Sequence, residues 1–338
     1  MRQVSIGIVA IGRNEGERLK ACLRSVVAAG PTIYVDSGST DGSQDFARSL
    51  GVEVVALAVP PAFTAARARN AGAAALLGRQ PDTELIQFID GDCEVRPGWL
   101  EAGAAALAAR PELALVFGRR RERFPERSIY NALADDEWDV PVGDVGACGG
   151  DILIRARAFA QVGGYPEEMI AGEEPDMSMR LREAGWKLAR IDAEMTLHDA
   201  AILRFGQWWT RTRRAGHAFA ELAARHPDQR WPDWRAACRR IIRWGGEMPV
   251  AALLGLLAAV AFSPLWLILT AFCLAAFAAN VARLFARRRR EGLALRLALA
   301  SAGLLMIGKF AEFAGLFRYR VNRLRRRRSA LIEYKGAA

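Results

Sequence analysis

The chain has 338 residues, of which 52% are hydrophobic and 25% are charged. This composition excludes a disordered chain and a disulfide-stapled miniprotein, and the length suffices for one large domain or two ordinary ones. The five cysteines are scattered and never spaced as Cys-x-x-Cys, which is typical of reduced thiols and not of a structural zinc site. Residues 283–338 carry fifteen Lys or Arg against three Asp or Glu, so the net charge of +10 resides in the tail. A basic tail can bind nucleic acid or an anionic membrane surface.

Short apolar strands alternate with helical segments in the first ninety residues. Strands are predicted over 4–11, 32–35, 52–57 and 85–89, and helices over 17–29, 41–50 and 65–77. This order predicts an α/β domain with a mostly parallel sheet and helices on both faces. Ligands bind such sheets at the carboxyl ends of the strands, where the polar clusters 13–15, 36–41 and 90–92 fall.

The middle of the chain has a more mixed pattern. Helices are predicted over 99–109, 156–162 and 175–184, and strands over 113–118, 151–154 and 187–191. The arginine-rich run 119–123 is interpreted as the solvated edge of a strand. No secretory signal is recognised at the N-terminus, which predicts that the front of the protein stays in the cytosol.

The last third of the chain changes in composition. Residues 249–282 contain no Asp, Glu, Lys, Arg or His, and one helix of that length would measure ~50 Å against a hydrocarbon core of ~30 Å. We expect a transmembrane or re-entrant helical hairpin over 246–283 that turns near Ser263-Pro264, with a basic, Trp-rich connector over 206–245 before it. A buried soluble core is the alternative. Basic residues flank both ends, so both ends are expected in the cytosol.

The final region, 284–338, holds a third apolar segment over 293–317. Arg296, Lys309 and Glu312 interrupt it, so we expect an interfacial amphipathic helix, with a further span as the alternative.

Asp90-Gly91-Asp92 follows the buried strand 85–89. Two carboxylates one residue apart can bind a hard divalent cation and, through it, a diphosphate. A capping or turn role is the alternative for this motif when it is considered alone.

Several motifs together resemble a known enzyme family. Residues 4–10 with Asn14-Glu15, VDSGSTDGS at 35–43, ARNAG at 68–72 and FIDGD at 88–92 resemble glycosyltransferase family 2 in their order and spacing. GGYPEE at 163–168 and GEEPDM at 172–177 resemble the acceptor-side motif of that family. The resemblance covers about residues 4–205 and implies a GT-A fold over residues 1–205. It also implies inverting transfer from a nucleotide-diphosphate sugar.

The resemblance also assigns roles to individual residues. The nucleotide-sugar site would comprise Ala10, Glu15, Asp36, Arg69, Asn70, Asp90 and Gly91. Asp92, with Asp90 and His198, would bind Mn²⁺ or Mg²⁺; a hydrogen-bonded loop histidine is the alternative for His198. The catalytic base would be Glu174, but the family usually has Asp at that position, so Asp176 and Glu173 remain alternatives. Gly150 and Asp151 could line the acceptor cleft, and Trp208 could stack on a sugar or lie at the membrane interface.

These observations predict a metal-dependent glycosyltransferase at the cytosolic face of the inner (plasma) membrane. Its acceptor would be lipid-linked or a polysaccharide, and its other partners would be the sugar donor and membrane lipids. A catalytically inactive membrane-bound nucleotide-sugar-binding protein is the main alternative. Nucleic acid is not an expected partner because the basic excess flanks apolar segments instead of covering a folded surface. A nucleotidyltransferase would need a Gly-rich, basic loop after the first strand, which residues 13–15 match poorly.

Overall fold

The computed structural model describes residues 4–59, 62–228 and 231–327. Contacts divide the chain into two compact units, one formed by Met1–Pro125 and Ala134–Ala201 and the other by Glu126–Leu133 and Ile202–Ala338. Residues 328–338 of the predicted basic tail lie outside the described part.

The first unit contains a sheet of nine strands within the described residues. The strands are β1 (Ile6–Gly12), β2 (Thr32–Asp36), β3 (Glu53–Ala56), β4 (Leu85–Asp90), β5 (Cys93–Val95), β6 (Leu113–Glu122), β7 (Gly143–Asp144), β8 (Ile152–Arg155) and β9 (Lys187–His198). The helices that accompany it are α1 (Glu17–Val26), α2 (Ser43–Ser49), α3 (Ala65–Arg79), α4 (Trp99–Ala109), α5 (Ile129–Glu137), α6 (Ala156–Gln161) and α7 (Glu173–Glu183), with α5 running from the second unit into the first.

The sheet has the strand order β3-β2-β1-β4-β8-β6-β9-β5, and β7 pairs with β9. Neighbours among β3, β2, β1 and β4 are parallel, as predicted. The other half is mixed, because β8 runs antiparallel to both β4 and β6 while β9 runs parallel to β6. Sequence periodicity does not specify strand direction, so this reversal could not be foreseen.

Helix α3 carries a buried arginine, Arg69, on the face that packs into the protein. Thr64 caps the helix: its hydroxyl accepts a hydrogen bond from the Arg67 N–H at 3.1 Å. Residues 66, 69, 73 and 76 are buried, which is the i, i+3, i+4 spacing of one helix face. Arg69 occupies this face among alanines and a leucine, and such a buried guanidinium requires carboxylate partners.

Strand β6 does not end in a solvated edge, so that interpretation was wrong. Its pairing with β9 is irregular between Phe117 and Arg119 and again between Arg119 and Arg120. Bulges of this kind re-aim side chains. Arg119 is buried and the Arg120 side chain is only 16% exposed, whereas the Arg121 side chain is 49% exposed.

The described residues of the second unit are helical apart from their connections. Its helices are α8 (Phe205–Arg225), α9 (Trp234–Ile242), α10 (Met248–Ala261), α11 (Leu267–Arg290) and α12 (Leu295–Leu324), with a π-helical segment, Arg243–Glu247, between α9 and α10. Helices α10 and α11 form a hairpin in which the Thr270 hydroxyl donates to the Ala252 carbonyl at 2.8 Å. Ser263 caps the short 3₁₀ turn that leads into α11.

Three helices of the described residues are long and apolar enough to cross a membrane. They are Trp234–Ala261, Pro264–Arg290 and Leu295–Leu324. The third apolar segment of the sequence is thus a continuous helix, and its interfacial placement stays a prediction.

Candidate active site

Two of the polar clusters meet at one edge of the sheet. In the parallel register Ile11 pairs with Asp90 and Gly12 pairs with Asp36. The carboxyl ends of β1, β2 and β4 therefore lie side by side, as the strand order predicts.

Arg69 links this edge to the first turn of α7. Its Nη2 atom lies 2.8 Å from Asp90 Oδ1, and its Nη1 atom lies 3.2 Å from Oε1 of both Glu173 and Glu174. Arg69 is 2% exposed, and its guanidinium lies 5.3 Å from the centre of the Tyr165 ring. Arg69 therefore joins Asp90 to Glu173 and Glu174 in one ion-pair network, although these carboxylates lie more than eighty residues apart in the sequence.

The predicted catalytic carboxylates differ in their surroundings. The side chains of Glu173 and Asp176 are each 3% exposed, and Asp176 accepts a hydrogen bond from Arg180 Nε at 2.8 Å. The side chain of Glu174 is 18% exposed. Glu174 is therefore the carboxylate of this turn that an acceptor could reach with least rearrangement.

Glu174 also has a pKa suited to proton transfer. Burial, and next the negative charge of Glu173, raises the pKa of Glu174 to about 7. A carboxyl group with this pKa can alternate between its two protonation states near neutral pH, as a general base must.

Asp92 and His198 form the part of the site that can hold a metal. His198 ends β9 opposite Cys93 of β5, and its Nε2 atom lies 3.0 Å from Asp92 Oδ2. Asp92, Cys93 and His198 each offer a ligand atom within 4.8 Å of the others. Burial, and next the charge of Arg120, lowers the pKa of His198 to about 4, so the imidazole is neutral at pH 7 and has a lone pair to offer.

The three candidate ligand groups differ in their chemistry. Burial, and next the charge of Asp151, raises the pKa of the Cys93 thiol well above its ordinary value, so the sulfur is protonated when no metal is bound. His198 Nδ1 is buried and has no hydrogen-bond partner among the described residues. A carboxylate and a neutral imidazole fit a first-row divalent ion, whereas Mg²⁺ prefers oxygen ligands.

Arg120 belongs to the site although sequence reasoning missed it. Its Nη2 atom lies 2.8 Å from Asp151 Oδ2 and 3.3 Å from Asp90 Oδ2. Burial raises the pKa of Asp90, but the charges of Arg69 and Arg120 outweigh burial and hold that pKa below its ordinary value. The pairing of β6 with β9 is irregular next to Arg120, and the sequence carries no signal for that irregularity.

Asp36 is held by hydrogen bonds at the end of β2. Its Oδ1 accepts from the Tyr34 hydroxyl at 2.9 Å, and its Oδ2 accepts from the Ser39 N–H at 2.9 Å and from Gln44 Nε2 at 2.8 Å. Burial opposes ionisation of Asp36, but these hydrogen bonds hold its pKa below the ordinary value. Asp36 therefore fixes the turn after β2, and its contact with a nucleobase stays a prediction.

The other predicted donor residues near β1 have defined places. Ala10 is buried within the strand, and Glu15 follows it, paired with Arg18 at 2.7 Å. The Gly91 N–H donates to the Ile11 carbonyl at 2.7 Å, and a Cβ at Gly91 would lie only 3.0 Å from that oxygen. Glycine thus lets the turn after β4 approach β1.

Asn70 and Gly150 shape the site from neighbouring segments. The Asn70 amide binds the backbone of Tyr165 through Nδ2 at 2.8 Å and Oδ1 at 2.9 Å. A Cβ at Gly150 would lie 2.6 Å from Arg69 Nη2 and 2.8 Å from Asp90 Oδ2. Asn70 therefore holds the loop before α7, and Gly150 leaves room for the Arg69–Asp90 ion pair.

Trp208 lies in the second unit, on α8. Its ring stacks on Tyr130 with centroids 5.9 Å apart and contacts Phe205 at 5.3 Å. These contacts account for its packing, and its predicted role toward an acceptor stays a prediction.

Comparison with known proteins identifies the domain. Residues 6–143 match the family model for glycosyl transferase family 2. The pre-mycofactocin glycosyltransferase of Mycobacterium tuberculosis is 30% identical over 240 residues, which is 67% of this chain and 49% of that protein. The succinoglycan biosynthesis protein ExoA of Rhizobium meliloti is 27% identical over 187 residues, 52% of this chain and 55% of ExoA. The chain thus spans about half the length of these relatives.

A solved structure supports the fold over most of the chain. The mannosyltransferase PcManGT from Pyrobaculum calidifontis, in complex with GDP-Man and Mn²⁺, superposes with a TM-score of 0.56 and 17% identity, covering 96% of this chain and 88% of PcManGT. The N-terminal domain of the chain therefore belongs to glycosyltransferase family 2 and has the GT-A fold.

Proposed function

We propose that this protein is an inverting glycosyltransferase that moves a sugar from a nucleotide-diphosphate sugar to an acceptor hydroxyl. The observation that carries the proposal is the ion-pair network of Arg69, which joins Asp90 to Glu174. In this network one buried cation, Arg69, binds both Asp90 on the donor side and Glu174, the candidate base. An inverting transfer is one direct displacement at the anomeric carbon, and it requires a single base next to the donor site.

The donor side would use a divalent cation. Asp92 and His198 would hold it, and their ligand types favour Mn²⁺ over Mg²⁺. The ion would neutralise the charge that develops on the leaving diphosphate. PcManGT, which shares the fold, was solved with GDP-Man and Mn²⁺.

The acceptor side would use Glu174. In its ionised form Glu174 accepts the proton of the acceptor hydroxyl as that oxygen attacks the sugar. Arg69 holds the carboxylate through Nη1 and orients it during this step. Asp176 is bound to Arg180, and Glu173 is more deeply buried, so both are less suited to reach an acceptor.

The acceptor would be lipid-linked or a polysaccharide precursor at the cytosolic face of the inner membrane. Three helices have the length and composition of membrane spans, and Arg287–Arg290 close the last turn of α11. The relative ExoA is named a succinoglycan biosynthesis protein, and the mycobacterial relative is named a pre-mycofactocin glycosyltransferase.

A thermal-shift screen in detergent tests the donor side. The protein is mixed with UDP-, GDP- or dTDP-sugars, each with Mn²⁺, with Mg²⁺ or with a chelator. We expect one nucleotide to raise the melting temperature, and the increase to require the metal. If no donor shifts the melting temperature under any condition, the proposed donor class is wrong.

Transfer itself is tested with a radiolabelled donor and a bacterial membrane extract as the source of acceptors. Label should enter the lipid or polysaccharide fraction, and the anomeric configuration of the product should be opposite to that of the donor. Donor binding without any transfer would instead support the catalytically inactive binding protein.

A further inference from the structure

Arg120 lies between two carboxylates at the centre of the site, and the proposed mechanism gives it no role. Its Nε donates to Asp151 Oδ2 at 3.0 Å, and its Nη2 lies 2.8 Å from that atom and 3.3 Å from Asp90 Oδ2. The Asp151 side chain is completely buried. Arg120 is therefore the cation partner of a fully buried carboxylate next to Asp90.

The two aspartates are also coupled directly. Asp151 Oδ1 accepts the backbone N–H of Asp90 at 3.1 Å, and the Thr196 hydroxyl donates to Asp151 Oδ2 at 2.9 Å. Arg69 occupies Asp90 Oδ1 at 2.8 Å, so both oxygens of Asp90 face a guanidinium. In this arrangement Asp90 has cation partners on both sides, whereas Asp92 faces His198.

Arg120 also touches the other half of the site. Its guanidinium lies 5.4 Å from the centre of the Trp138 ring. The Trp138 ring in turn meets the His198 ring edge to face, with centroids 4.7 Å apart. Arg120 thus packs against Trp138, whose ring contacts the His198 imidazole, and it also binds the carboxylates of Asp90 and Asp151.

We propose that Arg120 is a positioning residue that takes the place of a cation between Asp90 and Asp151 and so restricts the divalent ion to Asp92 and His198. Asp90 is then kept for the donor and does not bind metal. This inference rests on the proposed function for its consequence in catalysis, but its effect on metal binding can be measured without turnover.

Arg120→Met tests the proposal, with Arg121→Met as the matched control. Arg121 is the next residue of β6, its side chain is 49% exposed, and it pairs with Glu194 at 2.7 Å. Mn²⁺ binding to the full-length protein without donor is followed by electron paramagnetic resonance. Because two carboxylates lose a cation, Arg120→Met should bind Mn²⁺ about tenfold more tightly than the wild type, and Arg121→Met should not differ from it.

The same variants are compared in sugar transfer. We expect Arg120→Met to lower kcat about 100-fold and to change the donor KM less than about threefold, because the site is misaligned while most donor contacts persist. A variant that is simply misfolded would lose Mn²⁺ binding together with transfer. Tighter metal binding combined with slower transfer is therefore specific to the proposed role.

Arg120→Lys provides a second variant that keeps the charge. It should bind Mn²⁺ within twofold of the wild type, yet reduce kcat about tenfold, because an ammonium cannot bond both aspartates as the planar guanidinium does. Unchanged or weaker Mn²⁺ binding by Arg120→Met, or wild-type turnover by Arg120→Lys, would overturn the proposal. A wild-type chain that transfers no sugar would refute the proposed function, while the Mn²⁺ comparison would still decide the role of Arg120.

Discussion

Replacing Gly150 with alanine probes the ion pair on which the proposed function depends. The added Cβ would lie 2.6 Å from Arg69 Nη2 and 2.8 Å from Asp90 Oδ2. Ordinary contacts begin near 3.4 Å, so these atoms must move by roughly 0.6–0.8 Å. The Arg69 atom cannot move freely, because Arg69 is buried and paired with Glu173 and Glu174, and Asp90 Oδ2 is paired with Arg120 at 3.3 Å.

The displacement gives an expected magnitude. Overpacking of this size costs about 1–3 kcal/mol of stability, and a unit of about 190 residues loses about 2–4 °C of melting temperature for each kcal/mol. A shift approaching 1 Å at catalytic groups can reduce turnover about 100-fold. We therefore expect Gly150→Ala to remain folded at 25 °C and to lower kcat about 10- to 100-fold.

Gly149→Ala is the control, since nothing lies within 4 Å of a Cβ at that position and neither glycine requires a left-handed backbone. Initial rates of sugar transfer and thermal melts of the three proteins provide the comparison. A kcat of Gly150→Ala within twofold of the wild type would show that the added Cβ does not disturb the Arg69–Asp90 ion pair. Equal losses in both variants would attribute the effect to the loop backbone and not to the ion pair.

Four further predictions concern the same protein. Glu174→Gln should keep donor binding by thermal shift but lower kcat about 10²- to 10⁴-fold; the exposed Glu183→Gln is its control, and near-normal turnover of Glu174→Gln would exclude this residue as the base. Because the pKa of Glu174 is raised to about 7 and only its ionised form accepts a proton, kcat/KM should rise with pH through about 7 and then level off; a profile already flat between pH 5 and 9 would contradict this assignment. Asp92→Asn should abolish the Mn²⁺-dependent part of the donor thermal shift, and a metal effect equal to that of the wild type would remove Asp92 from the metal site. The full-length chain should stay in the membrane fraction after an alkaline carbonate wash; release into the supernatant would argue against membrane-embedded helices.

The hydrophobic pattern of the sequence was enough to predict the strands and helices that begin the first unit. Alternating strands and helices predicted β1 to β4 and α1 to α3 to within a few residues, because a buried strand and an amphipathic helix each impose their own period. The same pattern placed Asp36 and Asp90 at neighbouring strand ends. The uncharged stretch 249–282 likewise predicted a helical hairpin, since one helix of that length would be longer than the hydrocarbon core is thick and Ser263-Pro264 interrupts it.

Contacts between distant segments were decided only by the tertiary structure. The sequence shows acidic residues in the first turn of α7, but not that Arg69 binds two of them while Arg180 binds Asp176. It also places His198 after a strand, but pairing with β5 is what sets its ring against Asp92. Such partners are chosen by packing across the whole sheet, which sequence periodicity does not encode.

Arg120 shows the same limit most clearly. Strict alternation along β6 would send every second arginine of the run 119–123 to solvent, and a charged run is usually solvated. The pairing with β9 is irregular on both sides of Arg119, and here the alternation fails, because Arg119 is buried and its neighbour Arg120 also lies inward, against Asp90 and Asp151. The sequence thus determined which elements form and where their polar ends lie, whereas strand pairing decided which charged side chains are buried together, because each buried charge must find its counter-charge on another strand or helix.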